Sequence, residues 1–255
     1  MGYQTCLPPP ALRPYIDAYW AVVRGKEPAR SARILPDGCL DILLPLEPPA
    51  PGVVGQPAAG QLHLIGTLTR PVAVQYGYPM TAFGVRFRPA GLARFVAEPL
   101  LHTQDTRVEL AAFAPTLAHL LTGQGAGDAS SFAAWCGTVS RVLLGQLGRM
   151  PEPAPRLWVA VQQLQTAAGQ LSVGQAAGLA CLSERQFERR FSALVGVAPK
   201  ELAGLLRFRA ACAHLRAVPT TPLAAVALAT GYYDAAHLAR AFRRYAGQTP
   251  AQYRQ

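Results

Sequence analysis

Acidic side chains are in short supply in this chain. Fourteen aspartates and glutamates face 24 lysines and arginines, a formal net charge of +10 in 255 residues. Such an imbalance favours a polyanionic partner over a cationic one. Cysteine is sparse as well: Cys6, Cys39, Cys136, Cys181 and Cys212 are dispersed, with no pair at C-x-x-C spacing. That pattern argues against a disulfide framework or a cysteine-based zinc site and leads to an expectation of reduced thiols in a cytoplasmic chain. The five histidines form no H-x-x-x-H or H-E-x-x-H pattern, so no metal is expected, and no residue set calls for another cofactor. No apolar run of about 18 residues exists, which removes a spanning helix and a membrane partner from consideration. The N-terminus lacks a basic segment followed by an apolar one, so no secretory signal is expected. There is no G-x-S-x-G motif and no catalytic dyad spacing, and an enzyme is not expected.

What is present begins with a repeat. Phe187-Glu188-Arg189-Arg190-Phe191 is followed five residues later by Gly196-Val197-Ala198-Pro199. At an offset of 51 stand Leu238-Ala239-Arg240-Ala241-Phe242 and then Gly247-Gln248-Thr249-Pro250. The Ala-rich runs upstream, 173–180 and 223–230, are offset by 50, so the second copy carries one inserted residue between its parts. Self-similarity of this kind points to two copies of one supersecondary unit.

Each copy reads as a helix-turn-helix. Ser172 and Ser183 are N-cap candidates in the first unit and Asp234 in the second. Phe187, Phe191 and Leu194 share one helical face, as do Leu238 and Phe242, and these faces turn inward. Arg185, Gln186, Glu188 and Arg189 in the first unit, and Ala235, Ala236, His237 and Arg240 in the second, are left facing outward near the helix N-terminus. That is where a recognition helix meets base edges. Cys181 stands where the second unit has Gly231, so the first turn is expected to avoid the left-handed conformation. From residue 156 onward there are 12 basic and 4 acidic residues, a net of +8, against 12 and 10, a net of +2, before it. Basic excess on the repeat domain is the footprint of a polyanion, and together with the helix-turn-helix pattern it leads to an expectation of double-stranded DNA.

Residues 171–254 closely resemble the paired helix-turn-helix domain of the AraC/XylS family of bacterial transcription regulators. Ala227, Gly231-Tyr232, Leu238, Arg240, Phe242, Tyr245, Gly247 and Pro250 carry the likeness. The resemblance implies two recognition helices entering successive major grooves, held apart by a linker helix. That helix is expected over 199–215, with Leu202, Leu205, Leu206 and Ala213 in the core. By position, Arg185, Gln186 and Arg189 become base-contacting candidates, with Ala235, Ala236 and Arg240 in the second unit. The two alanines can touch a thymine methyl but cannot hydrogen-bond a base. Arg190, Arg207, Arg209, Arg243 and Arg244 are candidates for phosphate contacts. A family-related alternative, an alkylation-repair enzyme fused to the same domain, needs a reactive cysteine cluster, whereas Cys6 and Cys39 stand apart from other ligand-type residues.

The N-terminal part reads differently. Pro8-Pro9-Pro10 marks 1–10 as an extended arm, and 19–23 reads as a first strand. Runs of strand length follow at 32–35, 41–46, 62–65, 72–76 and 81–87, separated by turn signals, which favours a sandwich or barrel. A helix is expected over 90–95. Pro36-Asp37-Gly38 is either a hairpin turn or, through Asp37 and Asp41, part of an effector pocket. Arg86 either binds an anionic ligand or pairs with Asp37 or Asp41. These motifs resemble, more loosely, the cupin-like sensor domain attached to such regulators, which implies an unassigned small-molecule effector. Residues 108–121 carry a helical stripe of Leu110, Phe113, Leu117 and Leu121. A second stripe, Phe132, Cys136, Val139, Leu143 and Leu147, capped by Ser130 or Ser131, serves either as core or as a dimer seam. The resemblance favours a homodimer, and RNA polymerase is a further partner of such regulators. Alternating prolines at 151–155 mark a linker.

The expected fold class is therefore α+β with two domains. Residues 1–100 form a β-barrel or cupin-like sensor domain and 101–150 its helical part. The linker follows, and 156–255 form an all-α domain with two helix-turn-helix units. The expected function is a DNA-binding transcription regulator whose N-terminal domain binds an effector, dimerises or serves only as an architectural module.

Overall fold

The computed structural model describes residues 2–23, 30–47, 58–76, 81–126, 131–149 and 154–254. The N-terminal strands are β1 (Gly2–Cys6), β2 (Ile16–Val23), β3 (Arg30–Ile34), β4 (Leu40–Pro45), β5 (His63–Ile65), β6 (Val72–Tyr76), β7 (Ala82–Phe87) and β8 (Arg107–Glu109). The expected barrel is not closed. Among the described residues the strands make a six-stranded antiparallel sheet, β1-β2-β7-β4-β5-β8, and a separate β3-β6 pair. The extended N-terminal arm supplies β1, which pairs along its whole length with β2, from Gly2 opposite Val23 to Cys6 opposite Tyr19.

Alternation sets which face of the large sheet is buried. Leu40, Ile42 and Leu44 of β4 and Phe83, Val85 and Phe87 of β7 point into one core. Helices cover it: α1 (Leu110–Phe113), α2 (Pro115–Gly123) and α3 (Phe132–Leu147). The single helix expected over 108–121 is split. Val108 pairs with Leu64 as part of β8, and Ala114 leaves the helical region (φ −133°, ψ 74°) because Pro115 follows it. A proline disfavours helical geometry in the residue before it and starts a helix well. The helix expected over 90–95 shrinks to one 3-10 turn, Leu92–Arg94. Ser131 caps α3, accepting from Ala134 N. The stripe on α3 is spent inside the chain: Trp135, Cys136, Val139, Val142 and Leu143 are buried in the sheet core, and Tyr19 Oη lies 2.8 Å from Ser140 Oγ. Core packing, one of the two readings of that stripe, is the arrangement formed.

The linker residues 150–153 lie outside the described residues, and Pro155 opens α4 (Pro155–Thr166). Then come α5 (Val173–Leu179), α6 (Glu184–Val195), α7 (Pro199–Ala217), α8 (Leu223–Ala229), α9 (Ala235–Ala246) and α10 (Pro250–Tyr253). These helices make two cores, not one. Leu202, Ala203 and Leu206 of α7 join α4, α5 and α6, while Leu205, Phe208, Ala211, Cys212 and Leu215 join α8 and α9. Ala213, expected in the core, is exposed: it lies on the same face as Leu202 and Leu206 but about two turns beyond Leu206, past the end of the first core.

The two parts of the chain touch. Leu100 N donates to Ala193 O at 2.8 Å, Arg33 Nη1 donates to Ala246 O at 3.3 Å, and the Tyr15 and Trp158 rings lie 5.3 Å apart. Ala90 belongs to the first helical core and Leu35 packs on the second.

Gly84 is the tightest point of the central sheet. It sits opposite Trp20, and a β-carbon there would lie 2.1 Å from Trp20 Cε2. The indole is held in that position, and its Nε1 donates to Asp41 Oδ1 at 2.7 Å. Gly84→Ala should push the ring off Asp41 and lower stability by about 1–3 kcal/mol. Thermal unfolding tests this: an unchanged midpoint would mean that Trp20 can move without loss.

Candidate nucleic-acid interface

Both helix-turn-helix units are built by the same local devices. In the first, the Ser172 and Ser183 hydroxyls each accept from the backbone N–H three residues on, and each serine donates its own backbone N–H to the glutamine side chain there, closing capping boxes with Gln175 and Gln186. In the second, Asp234 Oδ1 accepts from His237 N at 2.6 Å. Gly196 (φ +89°) and Gly247 (φ +66°) end the second helix of each unit in the left-handed region. Pro199 and Pro250 then open the next helices. The Gly-x-x-Pro element of the repeat is thus a stop followed by a start. The turn between helices is left-handed in both units, at Gly231 (φ +78°) and also at Cys181 (φ +53°). The expectation for Cys181 is overturned. The hydrogen bond that follows the turn, Leu182 N to Ala177 O at 3.0 Å and Tyr232 N to Ala227 O at 2.9 Å, is common to both, and tertiary packing of that shared geometry outweighs the local strain of a β-carbon.

The inward faces are closed by Phe187, Phe191 and Val195 on α6 and by Leu238, Phe242, Tyr245 and Ala246 on α9. On α6 this leaves Arg185, Gln186, Glu188, Arg189 and Arg190 exposed. Gln186 Oε1 accepts from Ser183 N at 3.3 Å, and its amide nitrogen remains available as a donor. On α9, Ala236 and Arg240 are exposed and Ala235 is half-buried. The His237 ring stands edge-on to Tyr232 at 5.1 Å.

The remaining arginines divide. Arg190, Arg209 and Arg243 are exposed. Arg244 pairs with Glu201 at 2.6 Å, and Tyr245 Oη donates to the other oxygen of that carboxylate at 3.1 Å, which ties α9 to α7. Arg207 turns inward: its Nη1 donates to Gly169 O at 2.6 Å and its guanidinium lies over the Tyr232 ring. This braces the first unit against the second, and a helical periodicity count, which makes Arg207 one more basic residue, carries no signal for it.

Residues 176–255 match a family described as a helix-turn-helix domain, and residues 4–109 a domain of unknown function, DUF6597. The DNA-binding domain of AdpA, a global transcriptional factor solved in complex with a target DNA, is 31% identical over 39% of this chain and 89% of that one, with a TM-score of 0.36. The chain belongs to the AraC-type helix-turn-helix regulators. An AraC-type regulator from Chromobacterium violaceum is 27% identical over the same shares, with a TM-score of 0.35. ToxT from Vibrio cholerae O395 aligns over 92% of this chain and 96% of its own at 10% identity, with a TM-score of 0.46. No curated protein matches.

In this AraC-type regulator the three polar residues singled out in the β domain are brought together. Asp41 and Arg86 are direct cross-strand partners. Arg86 Nη1 lies 3.0 Å from Asp37 Oδ2, and Nη2 lies 3.2 Å from Asp41 Oδ2. Asp37 also accepts from Cys39 N at 3.0 Å, the turn its Pro-Asp-Gly setting implies. The internal pair is thus formed, with Trp20 as a fourth member that no sequence motif announces. Asp37 and Arg86 border a cavity of about 280 Å³ between the domains, shared with Asp17 and with Phe208, Arg209 and Arg216 of α7. Cys39 is buried, and burial pushes its thiol well above the usual range, so it is held protonated and unreactive. Among the described residues no group of three or more histidine, cysteine or acidic side chains is placed to hold a metal, and no helix is long and apolar enough to cross a membrane.

Burial raises the Asp41 carboxyl above its ordinary value, and Arg86 opposes that rise. A raised folded-state pKa means that the folded form binds the proton more readily. Whatever Asp41 subtracts from stability is therefore largest above its folded pKa and vanishes below the unfolded value. Arg86→Met should enlarge this loss to about 3 kcal/mol at neutral pH, with the deficit shrinking as pH falls into the aspartate range. Denaturation of both proteins across pH checks it, and a deficit independent of pH would assign the loss to packing alone.

Proposed function

We propose that this transcription regulator binds specific DNA sequences through α6 and α9, and that a small effector entering between its domains adjusts that binding. The observation that carries the reading is the state of Arg185, Arg189 and Arg240. All three are exposed on the recognition helices, and none forms an ion pair among the described residues. Unpaired arginines at these positions suit guanine O6 and N7 in the major groove. Arg190, Arg209 and Arg243 suit phosphates, which position the protein without specifying sequence. Ala235 and Ala236 let α9 approach the groove closely, with apolar contact to thymine methyls.

The effector part rests on the cavity bordered by Asp37, Arg86 and α7. A ligand there touches the β domain and the helix that carries both recognition units, so it can favour one domain arrangement over another. Homodimerisation is retained in this reading, through a surface other than the α3 stripe.

Genomic fragments selected by the purified protein test the reading. Wild type should enrich fragments sharing a motif. Arg189→Ala should lose about 1–3 kcal/mol on those fragments while keeping weak binding to any duplex. With about six phosphate contacts, the log–log dependence of affinity on salt should have a slope near −5. A flat salt response, or enrichment of nothing, would sink the proposal.

A further inference from the structure

The single residue inserted in the second repeat has an identity in the fold. Cys181 and Gly231 are the left-handed turn residues of the two units. The next residues, Leu182 and Tyr232, are again equivalent, since each donates its backbone N–H to the carbonyl of an equivalent alanine, Ala177 or Ala227. In the first unit the N-cap, Ser183, follows at once; in the second, Tyr233 intervenes before the cap Asp234. Tyr233 is 87% exposed, more than any other large apolar or aromatic side chain among the described residues. Its ring packs on no other ring, and its hydroxyl has no hydrogen-bond partner among the described residues. A single exposed aromatic is ordinary by itself; what sets Tyr233 apart is that it is the residue inserted beside the N-terminus of α9 and carries both an apolar ring and a hydroxyl.

The helix it precedes is poorly equipped at its own N-terminus. Ala235 and Ala236 have no polar group, and His237 is turned against Tyr232. Between the start of α9 and Arg240 the half-buried His237 is the one side chain with a hydrogen-bonding group. Tyr233 lies one residue before the cap, within about 4 Å of it along the chain, at the helix end that faces the duplex. A position before the cap stands off the helix axis, beside the groove wall and not over the base edges.

We propose, building on the DNA-binding reading above, that Tyr233 is a backbone anchor of the second unit. Its ring lies against a deoxyribose at the groove edge and its hydroxyl donates to a phosphate oxygen, supplying the hold that the alanines of α9 cannot. The contact is neutral, so it releases no counterion, and it is to the backbone, so it is blind to sequence.

The test uses the full chain, one duplex selected by the wild type from genomic DNA, and a random-sequence duplex of equal length. Tyr233→Ala should weaken binding to both by the same factor, about five- to tenfold, with the salt slope unchanged. Tyr233→Phe should recover part of the loss through the ring. The thermal midpoint of each variant should equal that of the wild type, because so exposed a side chain supports nothing in the fold. Wild-type binding with an unaffected Tyr233→Ala overturns this proposal alone. A loss confined to the selected duplex also overturns it, by making Tyr233 a base reader. Failure of the wild type to bind either duplex removes the DNA-binding reading and this proposal with it.

Discussion

One helix serves two cores, and the rest of the C-terminal domain depends on that sharing. Leu202 and Leu206 of α7 close the first helix-turn-helix, while Leu205, Phe208, Cys212 and Leu215 close the second. A helix repeats its faces every 3.6 residues, so one length of chain can present separate apolar stripes to two neighbours. Each unit draws a wall of its core from α7, and the spacing between the two recognition helices becomes a property of a rigid rod. The pair Arg244–Glu201 and the strut from Arg207 to Gly169 tie the units to that rod from outside the cores.

The same helix meets the β domain. A β-carbon at Gly38 would lie 2.8 Å from Leu202, Leu35 packs on the second core, and Phe208, Arg209 and Arg216 border the cavity across from Asp37 and Arg86. The cavity is therefore walled on one side by the helix that both helix-turn-helix cores share. The cluster of Asp37, Asp41, Arg86 and Trp20 gives the β-domain wall of the cavity a fixed form. A buried carboxylate is tolerated there only because a guanidinium and an indole N–H both answer it.

Much of the C-terminal domain was legible in the residue order. The repeat offset, the serine and aspartate caps, the Gly-x-x-Pro junctions and the phenylalanine faces are local devices, and local devices leave periodic marks. Cys181 was misread for an instructive reason. Its type argues against a left-handed turn, but the turn is imposed by how α5 and α6 pack, and packing outweighs the preference of one residue. Arg207 and Gln186 show a similar limit. Their type suggests base or phosphate contacts, but Arg207 donates to a carbonyl 38 residues away and the side-chain oxygen of Gln186 is engaged in its own helix cap. The β domain was less legible. Strand runs and turn signals located most strands, but whether they close into a barrel depends on pairings between residues far apart in sequence, and those leave no periodic trace.

The sequence by itself determined the caps and stops of the helix-turn-helix units, the two-unit repeat and the one-residue insertion, because capping, periodicity and turn chemistry act within a few residues. Only the tertiary structure decided which arginines remain free, that the inserted residue is an exposed tyrosine beside α9, and that Asp37, Asp41 and Arg86 meet beside a cavity. Those outcomes depend on which surfaces bury which, and burial is settled by contacts across the whole chain.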